Sequence, residues 1–146
     1  MRIRFRFEKL GVWQEARVIN RSIYRLTKAF PRQELFAMTS QLRRASISVS
    51  SNIAEGSGRN SDKDFAPFLE QSYGSLMEVA SVFYLALDES YVTEAQLDPF
   101  FDELERLAKR IAALNRSLEV PTSKTPFGRH SAKRPSALDS RPSTLA

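Results

Sequence analysis

Apolar residues recur every three or four positions through most of this chain, which is the period of helices that bury one face. Val12, Ala16, Ile19, Ile23, Leu26 and Phe30 form the first stripe and predict a helix over 12–29, flanked by Trp13 and Tyr24. Phe30-Pro31 ends it, because proline disfavours helical geometry in the preceding residue. Leu35, Met38, Leu42, Ala45, Val49 and Ile53 predict a second helix over 33–57. Serines and β-branched Ile47, Val49 and Ile53 are modest helix formers, so a strand over 45–53 competes. The helical period continues on both sides of that stretch and favours helix. Ala45, Ser46, Ser48, Ser50, Ser51, Ala54 and Gly56 would let a neighbour approach closely, which implies burial of more than one face. Gly56-Ser57-Gly58 reads as a helix stop.

Ser61-Asp62-Lys63-Asp64 has the form of a capping box and starts a third helix, with Pro67 early in it. Its stripe is Phe65, Phe68, Leu69, Ser72, Leu76, Val79, Phe83 and Leu87, ending near 88–90. Thr93-Glu94-Ala95-Gln96 is a second capping box and opens a fourth helix, with Pro99 in its first turns. Leu97, Phe101, Leu104, Ala108, Ile111, Leu114 and Leu118 form its stripe. Four amphipathic helices on short connections predict an all-α, antiparallel, up-and-down four-helix bundle over 10–118. Residues 1–9 precede it as a basic extension. From Glu119 onward, Pro121, Pro126, Pro135 and Pro142 sit among serines and basic residues with no apolar period, so 119–146 is expected to be a disordered basic tail.

Charge is unevenly placed. The net charge is +5. Residues 10–59 hold eight basic and three acidic residues, whereas 60–118 hold five basic and eleven acidic. The first half of the bundle is therefore basic and the second half acidic, a pattern that suits self-association or one face turned to a polyanion. Arg17, Arg21, Arg25 and Lys28 share one helix face and make a basic ridge. With Arg43 and the N-terminal Arg2, Arg4 and Arg6, they are the candidate nucleic-acid contacts. Arginines alternating with Ile3, Phe5 and Phe7 suit stacking on unpaired bases. Equally, the apolar members of that segment could pack on the bundle as a short extended stretch, and the ridge could pair with acidic helices of a neighbouring subunit.

Enzyme chemistry finds little to work with. There is no cysteine, and the single histidine, His130, lies in the tail. A bundle di-metal site of the usual Glu-x-x-His form and a histidine-activated nucleophile are both excluded from the helices. The glycines at 56 and 58 lack the spacing and lysine of a phosphate loop. Glu55 and Glu78 could form an acid/base couple. The reading preferred is a structural polar network of Arg44, Asn52, Glu55, Ser75 and Glu78, since buried polar groups need partners. No cofactor, metal or small-molecule substrate is expected. The N-terminus lacks the apolar run of a secretory signal, and no segment reaches the ~20 apolar residues of a membrane span. A cytoplasmic, membrane-free protein is expected.

The chain resembles a family of small bacterial four-helix-bundle proteins, the 23S ribosomal RNA intervening-sequence proteins. The likeness is carried by Leu10-Gly11-Val12-Trp13-Gln14-Glu15-Ala16, Ile23-Tyr24-Arg25-Leu26-Thr27 and Phe30-Pro31 with Glu34. It continues through Gln41-Leu42-Arg43-Arg44-Ala45, Ser48-Val49, Ser51-Asn52-Ile53-Ala54-Glu55-Gly56, Phe65, Phe68 and Gly74-Ser75-Leu76-Met77-Glu78. The resemblance implies a ring-like homopentamer without enzyme activity. Accessory proteins of diversity-generating retroelements are similar in fold and bind RNA and a reverse transcriptase, but this sequence matches the intervening-sequence branch, so those partners do not carry over. Ser50 stands where the family commonly has proline, so a straighter second helix is expected, and the basic tail lies outside the family pattern. The expectation is a non-enzymatic, pentameric scaffold or accessory protein with RNA as the favoured polyanion; the alternative is a protein–protein adaptor that binds no nucleic acid.

Overall fold

The computed structural model describes residues 1–119; the disordered tail expected over 119–146 lies outside them except for Glu119. The described chain consists of a 3-10 turn over Arg6–Lys9, then α1 (Gly11–Thr27), a 3-10 turn over Arg32–Glu34, α2 (Met38–Ser57), α3 (Asp62–Asp88) and α4 (Glu94–Leu118). The competing strand over 45–53 is absent, since that stretch is helical throughout. Each helix packs on its sequence neighbours, and α1 meets α4 to close the ring.

Cross-helix pairs fix the directions. Along α2 and α3, Gln41 faces Glu78, Ser48 faces Ser75, Val49 faces Ser72 and Gly56 faces Phe65. One number rises as the other falls, so the two helices run antiparallel. The same holds for α1 and α2, where Asn20 meets Ser46 and Thr27 meets Arg43.

The core takes most of the predicted stripes. Ile23, Leu42, Ile53, Leu69, Leu76, Val79, Phe83, Leu97 and Leu107 are fully enclosed. At the end holding the α1–α2 and α3–α4 connections, Phe83 packs edge-on against Phe100 at 5.0 Å and Phe30 at 6.4 Å between centroids.

Two parts of the pattern are corrected. Helix α2 begins at Met38, five residues later than expected, and Leu35 is exposed rather than in the stripe. Ala37 has non-helical backbone angles, and the Glu34 carboxylate turns back to accept the Met38 N–H at 3.3 Å. That anion sits at the positive end of the α2 dipole. Tyr91, from the α3–α4 connection, donates to the other Glu34 oxygen at 3.1 Å and ties the two connections together. In α4 the buried aromatic is Phe100, while Phe101 is half-buried and faces Tyr84. Leu97, Phe100, Leu104, Leu107 and Ile111 alternate three and four apart, the spacing of a bundle seam.

Helix ends follow local chemistry. Thr93 and Gln96 form the full capping box, each side chain accepting the other's backbone N–H. At α3 the box is half made. Ser61 accepts the Asp64 N–H, but the shorter Asp64 side chain bonds the Ser61 hydroxyl at 2.8 Å. Pro67 and Pro99 are each the sixth residue of their helix and exposed, so the carbonyl each leaves free is open to water. After α3, Ser90 adopts φ 60° where glycine is usual, and Tyr91 N–H reaches the Ala86 carbonyl in a Schellman closure. Ser50 leaves α2 uninterrupted from Met38 to Ser57.

Gly56 is more than part of a helix stop. A Cβ there would lie 2.6 Å from Phe65 Cδ2 and 2.6 Å from Phe68 Cβ. Gly74, on the exposed side of α3, has open space around it. Gly56→Ala is therefore expected to lower unfolding stability by about 1–3 kcal/mol through overpacking. Gly74→Ala is expected to raise it by about 0.5–1 kcal/mol by removing a flexible residue from a helix interior. Urea titration of the two variants checks both signs.

Candidate nucleic-acid interface

The spacing of Arg17, Arg21, Arg25 and Lys28 places them along one side of α1, each about one turn from the next. All four are exposed, and none is in an ion pair among the described residues. Like charges four apart destabilise a helix by about 0.2–0.5 kcal/mol per pair, so the row is a cost to the isolated chain. Arg25 lies in the last turn of α1, where the dipole favours a cation. The Arg17 guanidinium lies 5.8 Å from the centre of the Trp13 ring, which gives the row an aromatic neighbour.

Arg43 stands elsewhere. It is half-buried, donates Nε–H to Thr27 Oγ1 at 3.0 Å and lies 4.5 Å from the Tyr24 ring centre. Thr27 in turn donates to the Ile23 carbonyl. Arg43 thus joins α2 to α1, with its Nε–H and the face of its guanidinium engaged there.

The N-terminal segment is divided in the same way. Arg2 and Arg4 are exposed, whereas Arg6 donates to the Ser57 carbonyl at 3.0 Å, at the negative end of α2. The segment is not extended over its length, because 6–9 closes into a 3-10 turn. Phe7 packs on Trp13 at 4.7 Å, Phe5 stacks on Phe7 at 5.6 Å, and Ile3 and Phe5 remain largely in water. Glu8 holds the turn shut: its Oε2 accepts the backbone N–H groups of Arg4 at 2.6 Å and Phe5 at 2.7 Å.

The expected polar network separates into pieces. Asn52 donates to the Ser48 carbonyl and hydroxyl, and Ser48 shares a hydrogen bond with Ser75 at 2.8 Å. Glu78 accepts from Gln41 instead, Glu55 pairs with Arg59, and the Arg44 side chain makes no hydrogen bond among the described residues. Glu55 and Glu78 are both exposed. Since Glu78 lies beside Gln41, 14 residues before Glu55 on α2, the carboxylates stand roughly 21 Å apart along the bundle at 1.5 Å per residue. An acid/base couple is out of reach. Among the described residues, no group of acidic or histidine side chains could hold a metal ion, and no helix is long and apolar enough to cross a membrane. Sequence patterns missed the Glu15–Arg110 ion pair between α1 and α4, because it joins residues far apart in the chain.

The family described as 23S rRNA-intervening sequence protein matches residues 8–113. This chain belongs to that family. Among solved structures, a protein of unknown function from the S23 ribosomal protein family of Bacteroides thetaiotaomicron superposes with a TM-score of 0.66 at 22% identity. The match covers 72% of this chain and 98% of the other, which establishes a shared fold. No curated protein matches the chain.

The Glu8 turn gives the N-terminus a pH dependence. Hydrogen bonds from Phe5 and Arg4 hold the Glu8 carboxyl below the ordinary carboxylate range. Its contribution is fully present above that range and is lost as pH falls through the lowered value. Trp13 is the sole tryptophan and reports through Phe7. Acidification is expected to change Trp13 emission before global unfolding. Glu8→Gln is expected to show the altered emission already at neutral pH and to lose the acid step, as fluorescence titration of both proteins would record.

Proposed function

We propose that this protein is a non-enzymatic, homo-oligomeric scaffold, pentameric in its assembled form, whose α1 ridge binds RNA through phosphate contacts. The observation that carries the binding part is the exposed row Arg17, Arg21, Arg25 and Lys28, with no ion-pair partners among the described residues. A row of like charges is an anion-binding surface when a polyanion neutralises it and releases its counterions. Arg2 and Arg4 add exposed charge at the N-terminus, and Trp13 and Phe5 add aromatic faces suited to unpaired bases. The family description names 23S rRNA, which makes RNA the polyanion to test first. The assembly part rests on the resemblance to ring-forming relatives and on the division of charge between the halves of the bundle. The protein acts in the cytoplasm in this reading, where its RNA is made.

A second reading has its own support. The acidic half formed by α3 and α4 offers a partner for the same arginines, so the ridge could serve subunit contacts alone in an adaptor that binds no nucleic acid. Salt titration of single-stranded RNA binding by fluorescence anisotropy separates the two. The proposal expects binding at low salt that weakens steeply as salt rises, with a slope of about −0.7 per phosphate contact. Replacing Arg17, Arg21 and Arg25 by glutamate is expected to weaken binding at least tenfold while leaving the oligomer intact. Loss of the oligomer with no RNA binding in the parent protein would establish the adaptor reading instead. Native mass spectrometry is expected to show five chains, and a monomer at all concentrations would overturn the assembly part.

A further inference from the structure

The N-terminal turn carries a ring that the fold leaves half unused. Phe7 is half-buried on Trp13, with ring centres 4.7 Å apart, and packs the turn against α1. Phe5 lies beyond it, 5.6 Å from Phe7 and within 6° of parallel, yet 60% exposed. One face of the Phe5 ring is turned to Phe7, and the other is open to water. Three ties hold the turn in place. Glu8 accepts the Arg4 and Phe5 N–H groups, Gln14 donates to the Glu8 carbonyl at 2.8 Å, and Arg6 donates to the Ser57 carbonyl. An aromatic face fixed in advance loses little freedom when a ligand covers it.

The surroundings of the stack are cationic. Trp13 stands one turn before Arg17, so Trp13, Arg17, Arg21 and Arg25 fall in one row at four-residue spacing along α1. The Arg17 guanidinium is 5.8 Å from the Trp13 ring centre, so the rings of Phe5, Phe7 and Trp13 run on into the basic ridge. Arg2 and Arg4 flank Phe5 in the sequence and are exposed. Residues 1–28 hold eight basic and two acidic residues. Both acids are engaged, Glu8 with the backbone of its own turn and Glu15 with Arg110. At the α4 edge of α1, Glu15 and Glu103 stand with Arg106 and Arg110, so that edge adds no excess of negative charge.

A flat apolar face at the end of a row of cations matches a base joined to its phosphate backbone. In a duplex the base faces are covered by their neighbours, so an unpaired strand is the form that can use the ring. We infer that the outer face of Phe5 stacks an unpaired base, and that the protein therefore selects single-stranded over duplex RNA. This rests on the phosphate contacts proposed for the α1 ridge and names the class of strand they hold. Every base has a π face, so the stack accepts bases of any kind. The ridge supplies affinity that falls with salt through counterion release, and the ring supplies affinity that does not depend on it.

The test titrates the full-length protein with a single-stranded RNA oligonucleotide, with the same strand paired to its complement, and with the same strand carrying abasic positions, each at several salt concentrations. The parent is expected to bind the intact single strand most tightly of the three. Phe5→Leu keeps apolar bulk but loses the flat face, and is expected to bind the intact strand about fivefold more weakly or worse. Its salt slope is expected to equal the parent's, because no phosphate contact is removed. On the abasic strand and on the duplex the substitution is expected to change nothing, and Phe5→Trp is expected to hold the intact strand at least as tightly as the parent. Phe5 is mostly in water, so both variants are expected to keep the parent's helical circular dichroism. Equal affinity of the parent for single strand and duplex, a Phe5→Leu protein that binds the intact strand as the parent does, or a Phe5→Leu loss that persists on the abasic strand overturns the stacking and leaves the phosphate reading standing. A Phe5→Leu protein with unchanged RNA affinity and a dissociated oligomer would assign the ring to a subunit contact and overturn it as well. A parent that binds no RNA at low salt fails both readings together.

Discussion

The close approach of α2 to α3 is the constraint from which the rest of the bundle follows. Gly56 lets the rings of Phe65 and Phe68 lie against the α2 backbone. One turn after Phe68, Ser72 is fully enclosed and donates to the Val49 carbonyl at 2.8 Å, and Ser48 meets Ser75 at the next level. A buried hydroxyl without a partner would cost about 1–3 kcal/mol, so the enclosed Ser72 favours the register that pairs it, and the half-buried Ser48–Ser75 bond falls in that same register. Small side chains thus bring the helices near, and hydroxyls select one alignment out of several that bare apolar stripes would accept.

With that seam set, the other helices take their places through longer side chains. Arg43 reaches from α2 to Thr27 and Tyr24 of α1, and Ser46 bonds Asn20. Tyr91 ties the α3–α4 connection to Glu34, whose other oxygen starts α2. Glu15 and Arg110 pair where α1 meets α4. Arg43, Tyr91 and Arg110 stand at the edge of the apolar core, where the polar head keeps some contact with water while the stem covers apolar surface. The outer charge that remains is uneven, with a basic excess on α1 and α2, an acidic excess on α3 and a near balance on α4. Charge left over from folding is free to serve partners, and it is the chemistry on which the RNA and subunit readings both draw.

Much of this was written in the residue pattern. Period alone identified four helices, and the capping sequences at Ser61 and Thr93 located two of their starts to the residue. Pattern failed where it was degenerate. Phe100 and Phe101 both fit a 3.6-residue period, and only the position of Phe83 across the seam buries the first of them. Leu35 continued the α2 stripe in sequence, yet the Glu34 turn interrupts the helix before it can join. For the candidate sites, the ridge on α1 was legible because it lies on one helix, whereas the polar network was not, because its members are drawn from α2 and α3 and their pairing depends on register.

The sequence by itself therefore determined the helices, their amphipathic faces, the lack of histidine and cysteine chemistry in the described chain, and the uneven charge. These are local or compositional properties, set by spacing along one chain. Tertiary structure alone decided which polar groups meet, that Glu55 and Glu78 stand far apart, that Arg6 and Arg43 are drawn into the fold while Arg17, Arg21 and Arg25 have no ion pair among the described residues, and that Phe36 is held out in water. Such outcomes depend on how helices align and how closely their backbones approach, and spacing within a single helix carries no information about either.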